Sequence, residues 1–333
     1  MNISVKDKII FLMGPTASGK TDLAIEAVLA TGFNEATGEY NGEIVGADSR
    51  QIFNDFNLTT GKATEAELTQ TPSPLCGASP REASKSNTLD KGPSLGEGAQ
   101  GAKGVKIIHH LINTIDAGTY FSVEDYKKLA IPLVFDILKR GKVPIICGGT
   151  GQYIDAIYFD EELSPVPADQ KFRDLYNVKT HEELFELIKA KDERTANKID
   201  KNNKVRLVRA LEIIEALGKV PETVKKERFD KNIFDIQIIN TSRKFDRDTL
   251  RERIAKRLEQ RLEQGMVEEV RAAKEKYRLS STYLNGLGLE FKNINKFLDG
   301  EINYEEMIKN LVLEIGQYAK RQETWFRKYE NVK

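Results

Sequence analysis

The chain has few of the residues that build a disulfide framework, a zinc site or a membrane span. Cys76 and Cys147 are its two cysteines, and their spacing fits neither a set of bridges nor a zinc ribbon. The histidines His109, His110 and His181 are not spaced as metal ligands with either cysteine. No window approaches the roughly 20 apolar residues that cross a bilayer, and the N-terminus lacks the pattern of a signal peptide. These absences favour a cytoplasmic protein, with no membrane partner.

The chain also lacks an overall charge. Lys and Arg number 51 and Asp and Glu number 51, so no global field draws the protein toward nucleic acid. Any site for a polyanion must come from local clusters of basic side chains. The 333 residues, 40% of them hydrophobic, are enough for a large buried core. We expect a monomeric globular enzyme with no obligate protein partner.

Short apolar runs separated by helical patterns predict an α/β fold. The predicted core strands are residues 9–13, 44–47, 110–115, 143–147 and 236–239. Several of these runs are continuously apolar, which is typical of parallel strands covered on both faces. Helical patterns at residues 22–30 and 123–139 lie between them. We therefore expect a parallel sheet flanked by helices.

A charged, helical block interrupts the sheet pattern. We predict an inserted all-helical domain over residues 159–235, and a core formed by residues 1–158 and 236–333. Residues 248–277 are the longest amphipathic run of the core's C-terminal helices. Residues 66–104 are rich in Gly, Pro, Ser and Thr, so we predict a disordered loop there.

A glycine-rich motif follows the first predicted strand. Residues 14–21, which we call the phosphate loop, match G-x-x-x-x-G-K-[ST] at every fixed position. In this motif, backbone N–H groups turn toward phosphate oxygens, Lys20 adds a positive charge, and Thr21 offers a hydroxyl to Mg²⁺. The predicted phosphate-binding residues are Gly14, Pro15, Thr16, Ala17, Ser18, Gly19, Lys20 and Thr21. The motif leaves the phosphorylated ligand open, because kinases, NTPases and some transferases share it.

The second predicted strand is followed directly by an aspartate. Asp48-Ser49-Arg50-Gln51 comes after residues 44–47, at the edge of the sheet where open parallel sheets place their ligands. A carboxylate at this place could hold Mg²⁺ or accept a proton from a nucleophile. Asp48 or Ser49 could also cap a helix. The residues alone leave these alternatives open.

The ordered set of motifs resembles the tRNA dimethylallyltransferases, also called tRNA isopentenyltransferases or the IPP transferase family. The motifs are GPTASGKTDLA at 14–24, ADSRQIF at 47–53, TGKAT at 60–64, HHLINTID at 109–116, YFSVEDY at 120–126, GKVPIICGGTGQYIDAI at 141–157, RLVRALE at 206–212 and QYAKRQETWFR at 317–327. They follow the family's order along most of the chain. The resemblance implies a P-loop NTPase-like parallel sheet.

The resemblance also implies an activity. The family transfers a dimethylallyl group from its diphosphate to the N6 amine of the adenosine 3′ of the anticodon in tRNA, and releases pyrophosphate. Asp48 would take the amine proton, and Thr16, Lys20 and Arg247 would act at the reaction centre. The phosphate loop and Arg247 would bind the diphosphate, with Mg²⁺ at Thr21. Such groups stabilise the negative charge that develops on a leaving pyrophosphate.

The resemblance implies RNA contacts in several segments, and it makes the inserted domain at residues 159–235 a tRNA-binding domain. RNA loops are bound through splayed bases that stack on aromatic or arginine side chains. By the resemblance, the tRNA anticodon stem-loop contacts Asp48, Ser49, Arg50, Gln51, Thr150, Arg206, Arg209, Lys320, Arg321, Gln322, Trp325 and Arg327. For the last of these segments, the alternative is a C-terminal helix that docks Trp325 and Phe326 into the core.

One departure from the family pattern bears on RNA binding. Glu290 stands where the family favours Lys or Arg, so we expect residues 288–291 not to contact tRNA in the usual way. The phosphate loop and Asp48 keep the family pattern. Two other functions remain open: an adenylate isopentenyltransferase that acts on free AMP, ADP or ATP, and a small-molecule P-loop kinase. The full-length insertion and the Lys320–Arg327 motif favour tRNA.

Overall fold

The structure is a computed structural model that describes residues 6–70, 104–161, 164–222 and 224–330. Within these ranges, no helix combines the length and the apolar character needed to cross a bilayer. The chain divides into two compact units, one of Met1–Tyr158 with Arg228–Lys333 and one of Phe159–Glu227. The second unit therefore interrupts the first along the chain.

A five-stranded, all-parallel sheet lies at the centre of the first unit. Its strands are β1 (Asp7–Met13), β2 (Gly42–Gly46), β3 (His109–His110), β4 (Val143–Gly148) and β5 (Phe234–Asn240). They are hydrogen-bonded in the order β5-β1-β4-β2-β3. This order puts the C-terminal ends of β1 and β2 on either side of β4. The predicted parallel sheet flanked by helices is confirmed.

Ten α-helices in the described part of the first unit surround the sheet or extend from it. They are Lys20–Ala30, Asn57–Thr60, Glu65–Leu68, Val123–Lys139, Gly151–Tyr158, Arg247–Glu263, Met266–Lys276, Ser281–Leu287, Leu289–Leu298 and Tyr304–Phe326. Two of them recur below: Arg247–Glu263 is the arginine helix, and Tyr304–Phe326 is the C-terminal helix. Each begins at a capping side chain, since Asp246 accepts N–H bonds from Asp248 and Thr249, and Asn303 accepts one from Glu306.

Two predicted elements differ from the structure for local backbone reasons. The strand predicted at 110–115 ends at His110, because Leu111 and Asn113 have φ of 58° and 48°, which an extended strand cannot accommodate. The helix predicted over 248–277 is interrupted at Gly265, whose φ of 98° is left-handed, and a second helix starts at Met266.

The predicted loop at 66–104 is only partly described. Residues 66–68 belong to the helix Glu65–Leu68, and Thr69–Gln70 pairs with Val105–Lys106 in a two-stranded antiparallel ladder, which we call the insertion hairpin. The prediction of disorder was therefore wrong for residues 66–70. Residues 71–103 lie outside the described part of the chain.

Two hydrophobic clusters among the described residues of the first unit lie near the site. One covers a face of the sheet, where Leu12, Val28, Ile44 and Ile145 are at most 1% exposed. The other joins the helices of the C-terminal half and includes Phe56, whose ring meets Phe291 edge-on at 4.7 Å between centroids. This second cluster fixes the helices that surround the site described below.

The described residues of the second unit form four helices. They are Gln170–Asn177, His181–Lys191, Glu193–Ala196 and Lys204–Leu217, and their shared core includes Leu184, Ile188, Leu207 and Leu211. Phe159–Asp160 pairs with Lys226–Glu227, so a short antiparallel ladder accompanies the predicted helices. Residues 228–235, which the prediction placed in the insertion, belong to the first unit instead: the Arg228 N–H donates to Tyr158 O, and β5 begins at Phe234.

Candidate active site

The phosphate loop turns sharply between β1 and the helix Lys20–Ala30. Gly14 has φ of 150°, and a Cβ there would lie 2.0 Å from Thr241 Oγ1, so only glycine fits. Gly19 and Ala17 have φ of 79° and 60°. The Ser18 hydroxyl donates to Pro15 O at 2.8 Å and lies 2.7 Å from Thr241 Oγ1, which holds the turn from inside. The loop is therefore a fixed structure before any ligand binds.

The lysine of this loop faces inward. Lys20 Nζ donates to Pro15 O at 2.6 Å. Burial lowers the pKa of Lys20 to about 8, against the opposing effects of Cys147 and Asp48. Burial also raises the pKa of the Cys147 thiol to about 12, so this cysteine stays protonated and inert.

Asp48 begins a tight turn after β2. Its Oδ1 accepts the N–H of Arg50 at 2.9 Å and, more weakly, that of Gln51 at 3.4 Å. Among the residues that the structure describes, Asp48 Oδ2 has no hydrogen-bond partner. The adjacent Ser49 N–H donates to Thr150 Oγ1 at 2.9 Å, which ties this turn to the end of β4. Asp48 thus anchors its own turn and keeps one carboxylate oxygen available.

The segment after this turn forms a second wall. Gln51 Nε2 donates to Thr60 O at 3.2 Å and to Gly61 O at 3.1 Å. Glu269 holds the same segment from behind, because its carboxylate accepts the N–H groups of residues 57, 58 and 59 at 2.7–2.8 Å. A Cβ at Gly61 would lie 1.6 Å from Arg261 Nη2, so the glycine allows a guanidinium to approach the backbone.

One face of the arginine helix lies opposite the phosphate loop. Its side chains on that face are Arg253, Lys256, Arg257, Gln260 and Arg261. Arg253 Nε donates to Ala17 O at 3.0 Å, and Arg257 Nη2 donates to Gly61 O at 3.1 Å. Burial lowers the pKa of Arg257 and of Arg261, yet a guanidinium stays charged at neutral pH. We call these five residues the basic face.

A cavity of about 750 Å³ joins these parts. Residues 16–22 of the phosphate-loop region, residues 48–51, residues 59–63 and the basic face all line it. His109 lines it too, and burial lowers the pKa of this imidazole to about 4, so it is neutral. Basic side chains outnumber acidic ones around the cavity, which suits a strongly anionic ligand.

The residues predicted to bind the diphosphate do not all reach this cavity. Thr16 to Thr21 line it, whereas Gly14 and Pro15, at the start of the loop, are not among the lining residues. Arg247 is exposed, as the first residue of the arginine helix, and is not among the lining residues. The structure instead brings Arg253, one and a half turns further along, to the loop.

The C-terminal helix contributes to the cavity in an unexpected way. Gln322, predicted to bind tRNA, is 6% exposed, and its amide bonds to Thr16 N and Gly149 O. Arg321 lines the cavity, with its guanidinium 5.8 Å from the Tyr318 ring centre. Trp325 is half-buried against Gly151 and donates to Asp155 at 3.3 Å. Lys320 and Arg327 are exposed and lie outside the lining.

The remaining predicted RNA contacts divide between the two units. Ser49, Arg50 and Gln51 line the cavity, and Thr150 supports them from behind. In the second unit, Arg206 is exposed. Arg209 instead bonds to Glu212 and to Val166 O, so its guanidinium serves the packing of that unit. Its position therefore favours a structural role over an RNA contact.

Glu290 lies in the cavity wall. Residues 288–291 line the cavity, at the start of the helix Leu289–Leu298. Burial raises the pKa of the Glu290 carboxyl, and Arg261 and Arg50 oppose that effect. Arg261 and Arg50 thus lie near the Glu290 carboxylate, at the position where the family favours Lys or Arg. The expectation that this segment avoids the usual RNA contact stays a prediction.

Residues 100–329 match the family model described as IPP transferase. The chain belongs to this family. It is 33% identical over 332 residues to the tRNA dimethylallyltransferase of Thermoanaerobacter sp. (strain X514), and the match covers 98% of this chain and 90% of that relative.

Solved structures of the family share the architecture. The full-length tRNA isopentenylpyrophosphate transferase of Bacillus halodurans superposes with a TM-score of 0.60 at 27% identity, over 98% of this chain and 89% of that one. A eukaryotic dimethylallyltransferase acting on tRNA superposes with a TM-score of 0.68 at 23% identity, over 96% of this chain and 70% of that one. The latter likeness concerns the fold.

The cavity of this IPP transferase family member contains oxygen ligands suited to Mg²⁺. Thr21 and Asp48 both line it. No group of three or more His, Cys, Asp or Glu side chains that could hold a metal occurs among the described residues. Mg²⁺ commonly binds through one or two protein oxygens together with substrate phosphates and water. The residues present therefore fit a magnesium–diphosphate site at the phosphate loop.

Sequence reasoning gave residues 243–278 as one of several basic stretches that could meet RNA, but it assigned no role to the individual residues of the basic face or of the wall at residues 59–63. The charges of residues 248–277 alternate in sign, which is typical of a solvated helix, and this hid the face. A signal was present, since Arg253, Arg257 and Arg261 recur every fourth residue and so share one side of a helix.

Proposed function

We propose that this protein transfers a dimethylallyl group from dimethylallyl diphosphate to the N6 amine of the adenosine immediately 3′ of the anticodon in tRNA. The observation that carries this proposal is a single cavity lined by the phosphate loop, Asp48 and the basic face. A direct transfer requires that the diphosphate, the isoprenoid carbon and the base meet in one space. The Thermoanaerobacter relative described above is named a tRNA dimethylallyltransferase.

The donor's diphosphate would bind between the phosphate loop and the basic face. Lys20 Nζ, which donates to Pro15 O, would donate to a phosphate oxygen instead. Arg253 already reaches the loop, because it donates to Ala17 O. The allylic C–O bond breaks, and its electron pair leaves with pyrophosphate. Loop N–H groups and fixed cations stabilise the charge that develops on that oxygen, because they need little reorganisation.

The acceptor amine would approach from the Asp48 side. As the new C–N bond forms, N6 acquires a positive charge and gives one proton to Asp48 Oδ2. Oδ1 continues to accept the N–H of Arg50, so the carboxylate keeps its orientation while it takes the proton. A positioned carboxylate suits this step, because an exocyclic adenine amine is a weak nucleophile.

The RNA must present an everted base to this cavity. A stacked adenine cannot reach the half-buried Asp48 carboxylate inside the cavity, so the base turns out of the anticodon loop at a cost of about a few kcal/mol. Arg50, Tyr318 and Arg321 line the cavity and offer planar groups on which a base can stack. The exposed Lys320 and Arg327 lie near enough in the chain to meet the RNA backbone.

Magnesium would be held by Thr21 and by the diphosphate itself. When bound, it would supply positive charge to the leaving pyrophosphate. Asp48 remains assigned to the amine proton, because its turn holds Oδ1 and leaves Oδ2 available in the cavity.

A transfer assay tests the proposal. The protein is incubated with Mg²⁺, dimethylallyl diphosphate and an unmodified tRNA, and the digested nucleosides are analysed by mass spectrometry. We expect N6-dimethylallyladenosine without added ATP, and none from a tRNA with guanosine at the target position. Product formed with free AMP but not with tRNA would indicate an adenylate isopentenyltransferase. Phosphoryl transfer from ATP would indicate a kinase.

A further inference from the structure

The side-chain amide of Gln322 bridges two parts of the site. Its Oε1 accepts the Thr16 N–H at 2.8 Å, and its Nε2 donates to Gly149 O at 2.8 Å. The partners fix the orientation of the amide, because a backbone N–H can only donate and a carbonyl can only accept. Gln322 itself is 6% exposed. The bond to Gly149 O is buried, the bond from Thr16 N–H is partly buried, and together they fix the geometry of the amide.

Gln322 packs tightly against the backbone that it bonds. A Cβ at Gly149 would lie 2.5 Å from Gln322 Nε2, so the amide packs directly on the glycine backbone. The Thr16 N–H, being used by Gln322, is not one of the loop's free donors. A shorter side chain, or one without an amide, would break both bonds and leave the two backbone groups without this partner, which is unfavourable for groups shielded from water.

The second arm of the bridge continues to the catalytic carboxylate. Gly149 is followed by Thr150, whose N–H donates to Ala47 O at 3.1 Å. Thr150 Oγ1 accepts the Ser49 N–H at 2.9 Å. Ala47 and Ser49 flank Asp48 in the chain. Hydrogen bonds thus run from the phosphate loop, through Gln322 and the turn after β4, to both neighbours of Asp48.

We propose that Gln322 is a positioning residue that sets the distance between the phosphate loop and Asp48, and that it does not bind RNA. This inference rests on the proposed transfer reaction, in which the leaving group and the base must be held in one geometry. An error of about 1 Å in such geometry can cost about 100-fold in rate. Gln322 belongs neither to the phosphate loop nor to the turn at Asp48, but to the C-terminal helix.

Two substitutions separate this role from others. Gln322→Leu has similar volume and makes neither bond. Gln322→Glu accepts from Thr16 when ionised but cannot donate to Gly149 O, whereas its protonated form can do both. Gln317→Leu, exposed on the same helix, is the matched control. The measurements are single-turnover kcat, the Kd of a tRNA stem-loop, the Kd of pyrophosphate, and the melting temperature.

We expect Gln322→Leu to lower kcat by about 10–100-fold and to weaken pyrophosphate binding by about tenfold, with the RNA Kd little changed. The activity of Gln322→Glu relative to wild type should recover as pH falls and the carboxyl becomes protonated. Gln317→Leu should match wild type. If Gln322→Leu does not fold, the recovery of Gln322→Glu at low pH still tests the bridging role of Gln322.

Three outcomes would overturn the inference. A Gln322→Leu variant with normal kcat and weakened RNA binding would make Gln322 an RNA contact. Loss of activity in proportion to the unfolded fraction alone would make it a stability residue. A Gln322→Glu variant whose activity relative to wild type does not change with pH would remove the bridging role. If wild type itself transfers nothing, the proposed function fails, and pyrophosphate binding by the two variants still tests the bridge.

Discussion

Replacing Asp48 by asparagine removes the carboxylate charge but keeps the backbone of its turn. Oδ1 of Asp48 accepts N–H groups at 2.9 Å and 3.4 Å, and the amide oxygen of asparagine can accept the same two. The substitution therefore removes the proton acceptor while it keeps the hydrogen bonds that support the turn. General-base catalysis contributes about 10²–10⁴-fold, so kcat should fall by that factor, or about 3 to 5 kcal/mol of transition-state stabilisation.

Asp48→Ala is the matched comparison, because it removes the base and the acceptor together. We expect a similar loss of kcat and, in addition, a free energy of unfolding lower by about 1 kcal/mol. The assay is single-turnover transfer from labelled dimethylallyl diphosphate to a tRNA stem-loop, with RNA affinity measured separately. If Asp48→Asn kept the wild-type rate while Asp48→Ala lost it, Asp48 would act through the turn and not as a base.

Three further perturbations test other parts of the site. Arg261→Gln should weaken binding of pyrophosphate or of the RNA stem-loop by about 10–100-fold, because a half-buried guanidinium is lost. Arg251→Gln, exposed on the same helix, should change neither affinity. Equal affinities of the two variants, measured by calorimetry, would contradict this. Pyrophosphate affinity should fall as pH rises through about 8, where Lys20 loses its proton; a step of the same size in Lys20→Met would refute the assignment. Removing residues 71–103 and closing the insertion hairpin with a short Gly-Ser turn should leave kcat and the melting temperature nearly unchanged, because the hairpin already holds the ends together; a collapse of the melting transition would show the reverse.

Much of the sheet was predictable because its signals are local. β1 and β4 are continuous apolar runs, and each is buried over most of its length, as strands covered on both faces must be. The end of β3 was not predictable from hydrophobicity, because residues 111–115 remain apolar in part while Leu111 turns into the left-handed region. Backbone conformation there depends on the bonds that residues 113–115 make to residues 51 and 52.

The site also has parts that local sequence signals predict and parts that they do not. The phosphate loop and Asp48 each follow a strand directly, so their motifs predicted a common edge of the sheet, and both line the cavity. The basic face could not be assigned so simply, because which side of a mixed-charge helix meets a cavity depends on packing between distant segments. Arg247 and Gln322 show the limit of matching by motif. Arg247 lies outside the cavity lining, and Gln322 is 6% exposed with its amide bonded to Thr16 N and Gly149 O.

A structure with pyrophosphate and a tRNA stem-loop bound tests the central claim most directly. We predict pyrophosphate within hydrogen-bond distance of the N–H groups of residues 17–21 and of Lys20 Nζ, with N6 of the everted adenine about 3 Å from Asp48 Oδ2. Pyrophosphate bound elsewhere, or an adenine whose N6 points away from Asp48, would contradict the account.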